Sequence, residues 1–289
     1  MVDLALRALA AIVARMPERT RVAFGAFLGW LAGSVLRIRR AQVEAAMARA
    51  GIASPRREAA GMYRGLGLGV FELLGLAGGG AHDLDATIGF DDRSRAEWDR
   101  ARRAGKGIVV AASHTGNWEL AASTLAREGD LVAIVKRISV RGFDAFCNRL
   151  RARRGVGAVL PDGAMARGRS TLDTGGIVVM VIDQVPASTR HASQVEFLGA
   201  TAYADRAPAA LAARSGAPLV VAACRRGARG HTIEVLGVIV PPPRPGPAWI
   251  ETATADATRA LDRFVRAHPR DWLWLHRRWR VPANVPARG

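Results

Sequence analysis

The sequence predicts an α/β protein with a mixed, mostly parallel sheet flanked by helices and preceded by an N-terminal helical platform. From residue 85 onward, short apolar runs alternate with amphipathic segments. Near-continuous apolar strands separated by helices are typical of a sheet covered on both faces. With 289 residues, of which 49% are apolar, the chain can bury a large core, which excludes a disordered protein.

The first part of the chain has a helical pattern. Residues 2–50 are predicted to be helical with a break near Pro17, and a further helix begins at Ser54-Pro55, since proline favours the first turn. That helix runs to about Leu76, where the run Gly78–Gly80 ends it. We expect residues 1–50 to form the platform and residues 51–289 to form the α/β domain with an aromatic, basic tail.

The second part is predicted to alternate between strands and helices, with a stiff proline-rich linker at Pro241–Pro247 before the last helix. The predicted strands are Ala86–Phe90, Gly107–Ala112, Leu131–Val135, Gly157–Leu160, Ile177–Ile182, Pro218–Ala223 and Thr232–Leu236. The predicted helices are Arg93–Ala104, Asn117–Arg127, Arg141–Arg153, Met165–Thr174, Asp205–Ser215 and Trp249–Ala267.

The stretch from Val22 to Leu36 contains fifteen residues and no charge. A transmembrane helix needs about 20 apolar residues, so this stretch predicts a helix that dips into the membrane or a short anchor. Arg37, Arg39 and Arg40 follow at once, as in a cytoplasmic flank. The alternative is a buried helix of the core. No secretory signal is evident.

The net charge is +17, and only two of the 42 basic residues are lysines. Such a charge attracts nucleic acid, an anionic membrane surface or acidic proteins. The two cysteines, Cys147 and Cys224, are far apart in the sequence, which excludes a disulfide scaffold and a cysteine-based zinc site. The histidines show no metal-ligand spacing either, so we expect neither a metal nor a cofactor.

The segment from Ile108 to Leu120 carries the sharpest chemical signal. A buried strand ends at Ser113, and His114 and Glu119 follow on either side of the turn residues Thr115-Gly116-Asn117. On one regular helix the two side chains would point about 140° apart, so they meet only if His114 lies in the turn and folds back. The pair then suits a general base, His114, oriented by Glu119. The alternative is a capping histidine beside a surface glutamate.

The same segment, SHTGNWEL, resembles the H-x4-D/E motif of glycerolipid-type acyltransferases. Its Glu is typical of the bacterial lipid A late (lauroyl and myristoyl) acyltransferase branch, whereas the glycerol-3-phosphate branch has Asp there and a Glu-Gly-Thr-Arg block that is absent here. Further blocks resemble this family in the same order, over about residues 20–282. They are Lys136-Arg137, Asp183-Gln184, Val195–Gly199 followed by Ala204–Pro218, and the tail His268–Arg280.

The resemblance implies roles for these residues. Arg137, with the backbone amides of the turn, is expected to stabilise the oxyanion that forms during acyl transfer. Asp183 and Gln184 are expected to bind acceptor hydroxyls or to hold the loop of His114, and a structural role is the alternative. The other expected substrate-binding residues are Asn117, Lys136, Arg151 and Gly199. Arg151 belongs to a basic cluster that suits lipid phosphates or an acidic carrier protein, or is a solvated face.

The tail combines Trp272, Trp274 and Trp279 with arginines. Such a mixture suits a membrane interface or single-stranded nucleic acid, and core packing of two of the tryptophans is the alternative.

The resemblance predicts a membrane-associated O-acyltransferase on a glycerolipid acyltransferase-like fold. Its expected partners are an acyl-carrier-protein or coenzyme A thioester donor, a glycolipid acceptor resembling a lipid A precursor, and the membrane surface. The expected location is the cytoplasmic face of the bacterial inner membrane. Three alternatives stay open: a hydrolase on the same fold, an inactive scaffold, and an arginine-rich nucleic-acid-binding protein. The last leaves His114 and Glu119 without a role and lacks a nucleic-acid motif, so nucleic acid is not an expected partner.

Overall fold

A seven-stranded sheet forms the centre of the computed structural model, which describes residues 2–79, 87–228 and 230–280. Its strands are β1 (Ile88–Phe90), β2 (Ile108–Ala112), β3 (Leu131–Ile134), β4 (Val156–Val159), β5 (Ile177–Val181), β8 (Leu219–Gly227) and β9 (Gly230–Ile239). Their order is β1-β9-β8-β2-β5-β3-β4. Only β8 and β9 pair antiparallel, and the other neighbours are parallel. The predicted α/β class and mostly parallel sheet are confirmed.

The middle strands are apolar along their whole length because helices cover both faces of the sheet. Strand β2 lies between β5 and β8, with Val110 opposite both Val179 and Val220. Residues of both faces of β2 are buried, as Val109 and Val110 show with 0% exposure. The polar segment that follows β2 is therefore held at the carboxyl edge of a rigid sheet.

Six helices accompany the strands, and each overlaps its predicted range. They are α5 (Asp92–Arg102), α6 (Trp118–Leu125), α7 (Arg141–Arg153), α8 (Ala164–Asp173), α9 (Ala207–Ser215) and α10 (Pro247–Ala267). All seven predicted strands of the sheet are also found, although Ala86 at the start of the first lies outside the described residues.

The N-terminal region contains one break more than predicted. Its helices are α1 (Val2–Arg15), α2 (Glu18–Trp30) with a π-helical turn at Leu31–Val35, α3 (Arg40–Arg49) and α4 (Pro55–Gly78). The unpredicted break occurs where Arg37 and Arg39 adopt left-handed φ angles of 49° and 53°. The sequence does not predict it because neither glycine nor proline occurs at this position. The domain boundary at residue 50 stays a prediction.

None of the described helices is long and apolar enough by itself to cross a membrane. The segments Glu18–Val35 and Arg40–Arg49 pass the same test of length and composition as a pair, bent by 86° at the break.

Helices α2 and α4 approach each other so closely that their backbones touch. A Cβ atom at Gly29 would lie 2.3 Å from the carbonyl oxygen of Tyr63, and one at Gly67 would lie 2.1 Å from that of Gly25. Glycines at such crossings are typical of tightly packed helix pairs, including those in membranes.

The sequence pattern did not predict the separate hairpin of β6 (Ala192–Phe197) and β7 (Ala200–Asp205). Leu198 and Gly199 form its two-residue turn, with φ angles of 51° and 76°, as short hairpin turns require. The carboxylate of Asp262 on α10 accepts a hydrogen bond from the Leu198 amide and fixes the turn.

Candidate active site

His114 lies in the turn that joins β2 to α6, at the carboxyl edge of the sheet, where ligands usually bind in α/β folds. The turn fits closely against β8: Gly116 has a φ of +52°, and a Cβ there would lie 2.5 Å from the carbonyl oxygen of Cys224. Asn117 caps α6 by accepting a 3.0 Å hydrogen bond from the Leu120 amide. The sequence-based placement of His114 in the turn is therefore confirmed.

A buried carboxylate from the end of the neighbouring strand β5 orients His114. Asp183 has 0% exposure, and its Oδ1 lies 2.9 Å from His114 Nδ1. Its Oδ2 accepts hydrogen bonds from the His114 amide at 2.7 Å and from the Trp272 indole at 2.9 Å. Asp183 thus holds both the loop and the ring of His114.

The electrostatics of the pair favour a charged imidazole. Burial alone lowers the His114 pKa, but the charge and hydrogen bond of Asp183, with a smaller contribution from the charge of Glu119, raise it above the ordinary value. The nearby ammonium group of Lys136 opposes this rise. The Asp183 pKa is held far below its usual value, since the favourable interaction with His114 outweighs the effect of burial.

Glu119 does not orient His114, in contrast with the sequence-based prediction. Its carboxylate forms a two-point ion pair with Arg151 of α7, in which Arg151 Nε donates to Oε2 at 3.0 Å. The two contacts lie in different directions: the Glu119 side chain reaches Arg151 of α7, whereas the His114 ring reaches Asp183 at the end of β5. Arg151 is therefore a partner of Glu119 and does not belong to a purely solvated face.

Residues 268–280, which we call the C-terminal strap, complete the site from the other side. The Leu273 amide donates to the His114 carbonyl oxygen at 3.0 Å, and the Gly116 amide donates to the Asp271 carbonyl oxygen at 2.7 Å. Trp272 and Trp274 are both 0% exposed. These two tryptophans are core residues and offer no surface to a membrane or to nucleic acid, which confirms the core-packing alternative.

The strap also brings a second histidine to the site, which the sequence analysis did not assign. The His276 ring lies 4.8 Å from that of His114, centroid to centroid, and its buried Nε2 has no hydrogen-bond partner among the described residues. Burial, with repulsion from His114, lowers the His276 pKa to about 4. His276 is therefore neutral when His114 titrates.

The nitrogen and oxygen atoms of His114, Asp183 and His276 lie within 4.8 Å of one another and form a group that is able to hold a metal ion. However, both oxygens of Asp183 already accept N–H donors from His114 and Trp272. This arrangement suits proton transfer better than metal binding.

The other predicted binding residues divide into two groups. Gln184 lies at the site, with its amide nitrogen 3.4 Å from His114 Nε2. Lys136, whose Nζ donates to the Val185 carbonyl oxygen at 3.4 Å, is near enough to act on His114 electrostatically. Arg137 is exposed on the same loop.

Asn117 and Gly199 make structural contacts, and their predicted substrate binding stays a prediction. The Asn117 amide donates to Glu72 at 2.8 Å while its oxygen caps α6. Gly199 lies in the hairpin turn against the backbone of Arg49. The predicted oxyanion site also needs correction, because the amides of Thr115 and Gly116 already donate to the Ser113 and Asp271 carbonyl oxygens.

Comparison with known proteins now identifies the family. A sequence model described as bacterial lipid A biosynthesis acyltransferase matches residues 2–281. The chain belongs to this acyltransferase family. It is also 29% identical, over 210 residues, to phosphatidylinositol mannoside acyltransferases of two Mycobacterium tuberculosis strains, H37Rv and CDC 1551. The match covers 69% of this chain and 61% of each relative, so the chain spans about three fifths of the length of these relatives.

The family resemblance predicted from the sequence is confirmed, and the fold explains why its blocks are dispersed along the chain. In this acyltransferase-family chain, the segment after β2, the Asp183-Gln184 block after β5 and the C-terminal strap all meet at His114. The Val195–Gly199 block instead forms the β6–β7 hairpin, where Phe197 packs edge-on against Trp272.

Proposed function

We propose that this protein transfers a fatty acyl group from an acyl thioester to a hydroxyl group of a glycolipid, with His114 as the general base. The observation that carries the proposal is the hydrogen bond between His114 Nδ1 and the fully buried Asp183. Family membership and the glycolipid acyltransferases among the relatives support the reaction class.

The geometry leads to a sequence of proton movements. Asp183 accepts the Nδ1–H of His114, so Nε2 keeps its lone pair, to which the Gln184 amide lies close. Nε2 then takes the proton of the acceptor hydroxyl while that oxygen attacks the thioester carbonyl carbon. Asp183 stabilises the imidazolium, which returns the proton to the leaving thiolate as the C–S bond breaks. An ester and a free thiol are the products.

We assign the oxyanion role to Lys136 rather than to Arg137. Lys136 Nζ donates to the Val185 carbonyl oxygen at 3.4 Å, and the adjacent Gln184 lies 3.4 Å from His114 Nε2, so the ammonium group is held at the edge of the site where an oxyanion would form.

We further propose that the N-terminal helices attach the protein to the cytoplasmic face of the inner membrane. Phe24, Phe27 and Trp30 on α2 are 50%, 55% and 53% exposed, and Leu4 and Ile12 on α1 are 68% and 56% exposed. Large exposed apolar and aromatic side chains on helices are typical of a membrane interface. The net charge of +17 favours an anionic lipid surface.

Hydrolysis of the thioester is the competing reaction on the same site. The cavity over His114, lined by Gly116, Trp118 and Leu273 among others, has a volume of about 20 Å³. That volume holds about one water molecule, which is enough for water to attack the thioester. Analysis of the reaction products therefore distinguishes a transferase from a hydrolase. The buried Trp272 and Trp274 argue against the nucleic-acid alternative.

The test is a transfer assay in detergent with radiolabelled acyl-carrier-protein and acyl-coenzyme A, a total lipid extract, and His114→Ala as the control. A labelled lipid formed only by the wild-type protein supports the proposal and identifies donor and acceptor. Labelled free fatty acid without labelled lipid would favour the hydrolase. If a folded protein formed neither labelled lipid nor labelled fatty acid, both the transferase and the hydrolase hypotheses would be overturned.

A further inference from the structure

Arg21 is an arginine whose side chain is buried. It lies near the start of α2 with 8% exposure, and its Nε has no hydrogen-bond partner among the described residues. Among the residues that the structure describes, no carboxylate forms an ion pair with it. Arg151 and Arg226, in contrast, pair with Glu119 and Glu72. An unpaired buried charge is costly, and a bound anion would lower this cost.

Arg21 lines a cavity of about 660 Å³ between α2, α4 and the adjoining ends of β8 and β9. Arg64 of α4 and Arg226 of β8 also line the cavity, beside the apolar side chains of Val22 and Phe71. A cavity of this size accommodates a lipid headgroup or a comparable polar ligand.

Two carboxylates also line this cavity, and neither cancels the charge of Arg21. Glu72 accepts hydrogen bonds from Arg226, Asn117 and His231, and these partners outweigh its burial and hold its pKa far below the usual value. Glu72 is thus an ionised carboxylate whose negative charge is already balanced by Arg226. Glu18 is exposed, so solvent and salt screen it. Arg21 and Arg64 remain as the cations available to an anion.

Cavities with common lining residues lie between this place and His114. A cavity of about 450 Å³ shares Arg64 and Arg226 with the first. It shares Gly65, Arg226 and Asp271 with the small cavity over His114. The cavity lined by Arg21 and the cavity at His114 thus lie on either side of the same intermediate cavity.

The cavity also adjoins the apolar surface of α2. Phe24, half exposed, stacks on Phe71, which lines the cavity, with 6.2 Å between ring centroids. An anion bound to Arg21 would lie beside side chains suited to acyl chains, which is the arrangement of a phosphorylated amphiphile at a membrane interface.

We propose that this cavity binds a phosphate ester group of a substrate, with Arg21 and Arg64 as its ligands. The inference rests on the proposed function for the reaction that the bound molecule undergoes. The phosphate has two possible sources, the headgroup of the acceptor lipid and the phosphate of the thioester donor. Arginine suits both, because its N–H groups match phosphate oxygens in geometry and charge.

Direct binding tests the proposal without requiring acyl transfer. The full chain in a neutral detergent is titrated with two pairs of probes, dioctanoyl phosphatidylinositol against dioctanoylglycerol, and coenzyme A against pantetheine. Arg21→Gln and Arg64→Gln are compared with Arg19→Gln, which removes an exposed charge from the same helix. If the wild-type protein bound the phosphate-bearing probe but transferred no acyl group, the result would count against the proposed function and not against this site.

We expect the wild-type protein to prefer the phosphate-bearing probe of at least one pair. That preference falls about tenfold in Arg21→Gln and in Arg64→Gln, the loss of one charge-assisted hydrogen bond, and is kept in Arg19→Gln. A preference in the lipid pair identifies the acceptor as the source, and one in the coenzyme pair identifies the donor. No phosphate preference, or an equal change in Arg19→Gln, would overturn the proposal.

Thermal unfolding without ligand separates binding from a structural role. Because Arg21 is unpaired, Arg21→Gln should unfold at a temperature no lower than that of the wild-type protein. A lower unfolding temperature together with an unchanged phosphate preference would make Arg21 a structural residue and contradict the proposal.

Discussion

Asp183→Asn is the sharpest perturbation of the site, because the neighbouring hydrogen bonds dictate how the new amide must sit. The His114 amide and the Trp272 indole both donate to Oδ2 of Asp183. The asparagine oxygen must therefore take that position, which places its NH2 group against His114 Nδ1. Nδ1 then accepts a hydrogen bond, the proton moves to Nε2, and the general base loses its lone pair.

The wrong tautomer of a catalytic histidine reduces kcat by about 10⁴-fold in comparable triads, and we expect a loss of that order. The assay is the initial rate of labelled acyl transfer, with Asp162→Asn as the control, since Asp162 is an exposed aspartate. Circular dichroism and the unfolding temperature verify that the variant folds. A folded Asp183→Asn variant with a rate within tenfold of wild type would refute the role assigned to Asp183.

Three further predictions follow from contacts elsewhere. Glu119→Gln and Arg151→Met each leave a partly buried partner charge unpaired. In a double-mutant cycle, the double variant should therefore lose less kcat/KM, expressed as free energy, than the sum of the losses of the two single variants. Additive losses would show that the pair is not coupled. Gly29→Leu forces side-chain atoms against the α4 backbone, and chemical denaturation should show a loss of at least about 1–3 kcal/mol; unchanged stability would contradict the close helix contact. Phe27→Glu should reduce flotation with anionic vesicles several-fold, whereas Val240→Glu, another exposed apolar position, should not; equal flotation of both variants would exclude α2 as the membrane-binding surface.

The fold was predictable because the local sequence pattern indicates each strand of the seven-stranded sheet. Buried strands such as β2 and β5 read as short apolar runs, and α7 has the bounds that its sequence pattern predicts. The β6–β7 hairpin was missed because its strands contain Ser193, Gln194 and Glu196 among few apolar residues. Its stability comes from packing on α10 and on Trp272, which no local pattern reveals.

The site was predictable only in part, because its partners come from distant segments. The sequence offered Glu119, five positions away, as the partner of His114, on the condition that His114 folds back from the turn. The actual partner, Asp183, is 69 positions away and becomes adjacent only because β5 pairs with β2. The local sequence does not predict that β5 is the neighbour of β2 in the sheet. The strap was ambiguous for a similar reason, since tryptophans among arginines suit either a surface or a core.

The pH dependence of kcat/KM for acyl transfer tests the central claim, that His114 oriented by Asp183 is the general base. The base acts when neutral, and Asp183 raises its pKa. The rate should therefore rise with pH through one ionisation whose midpoint lies above the 6.5 of an ordinary histidine. The residual rate of Asp183→Asn should show a lower midpoint, because the stabilising charge is gone. A rate independent of pH between about 5 and 9, or a midpoint unchanged in Asp183→Asn, would contradict the account.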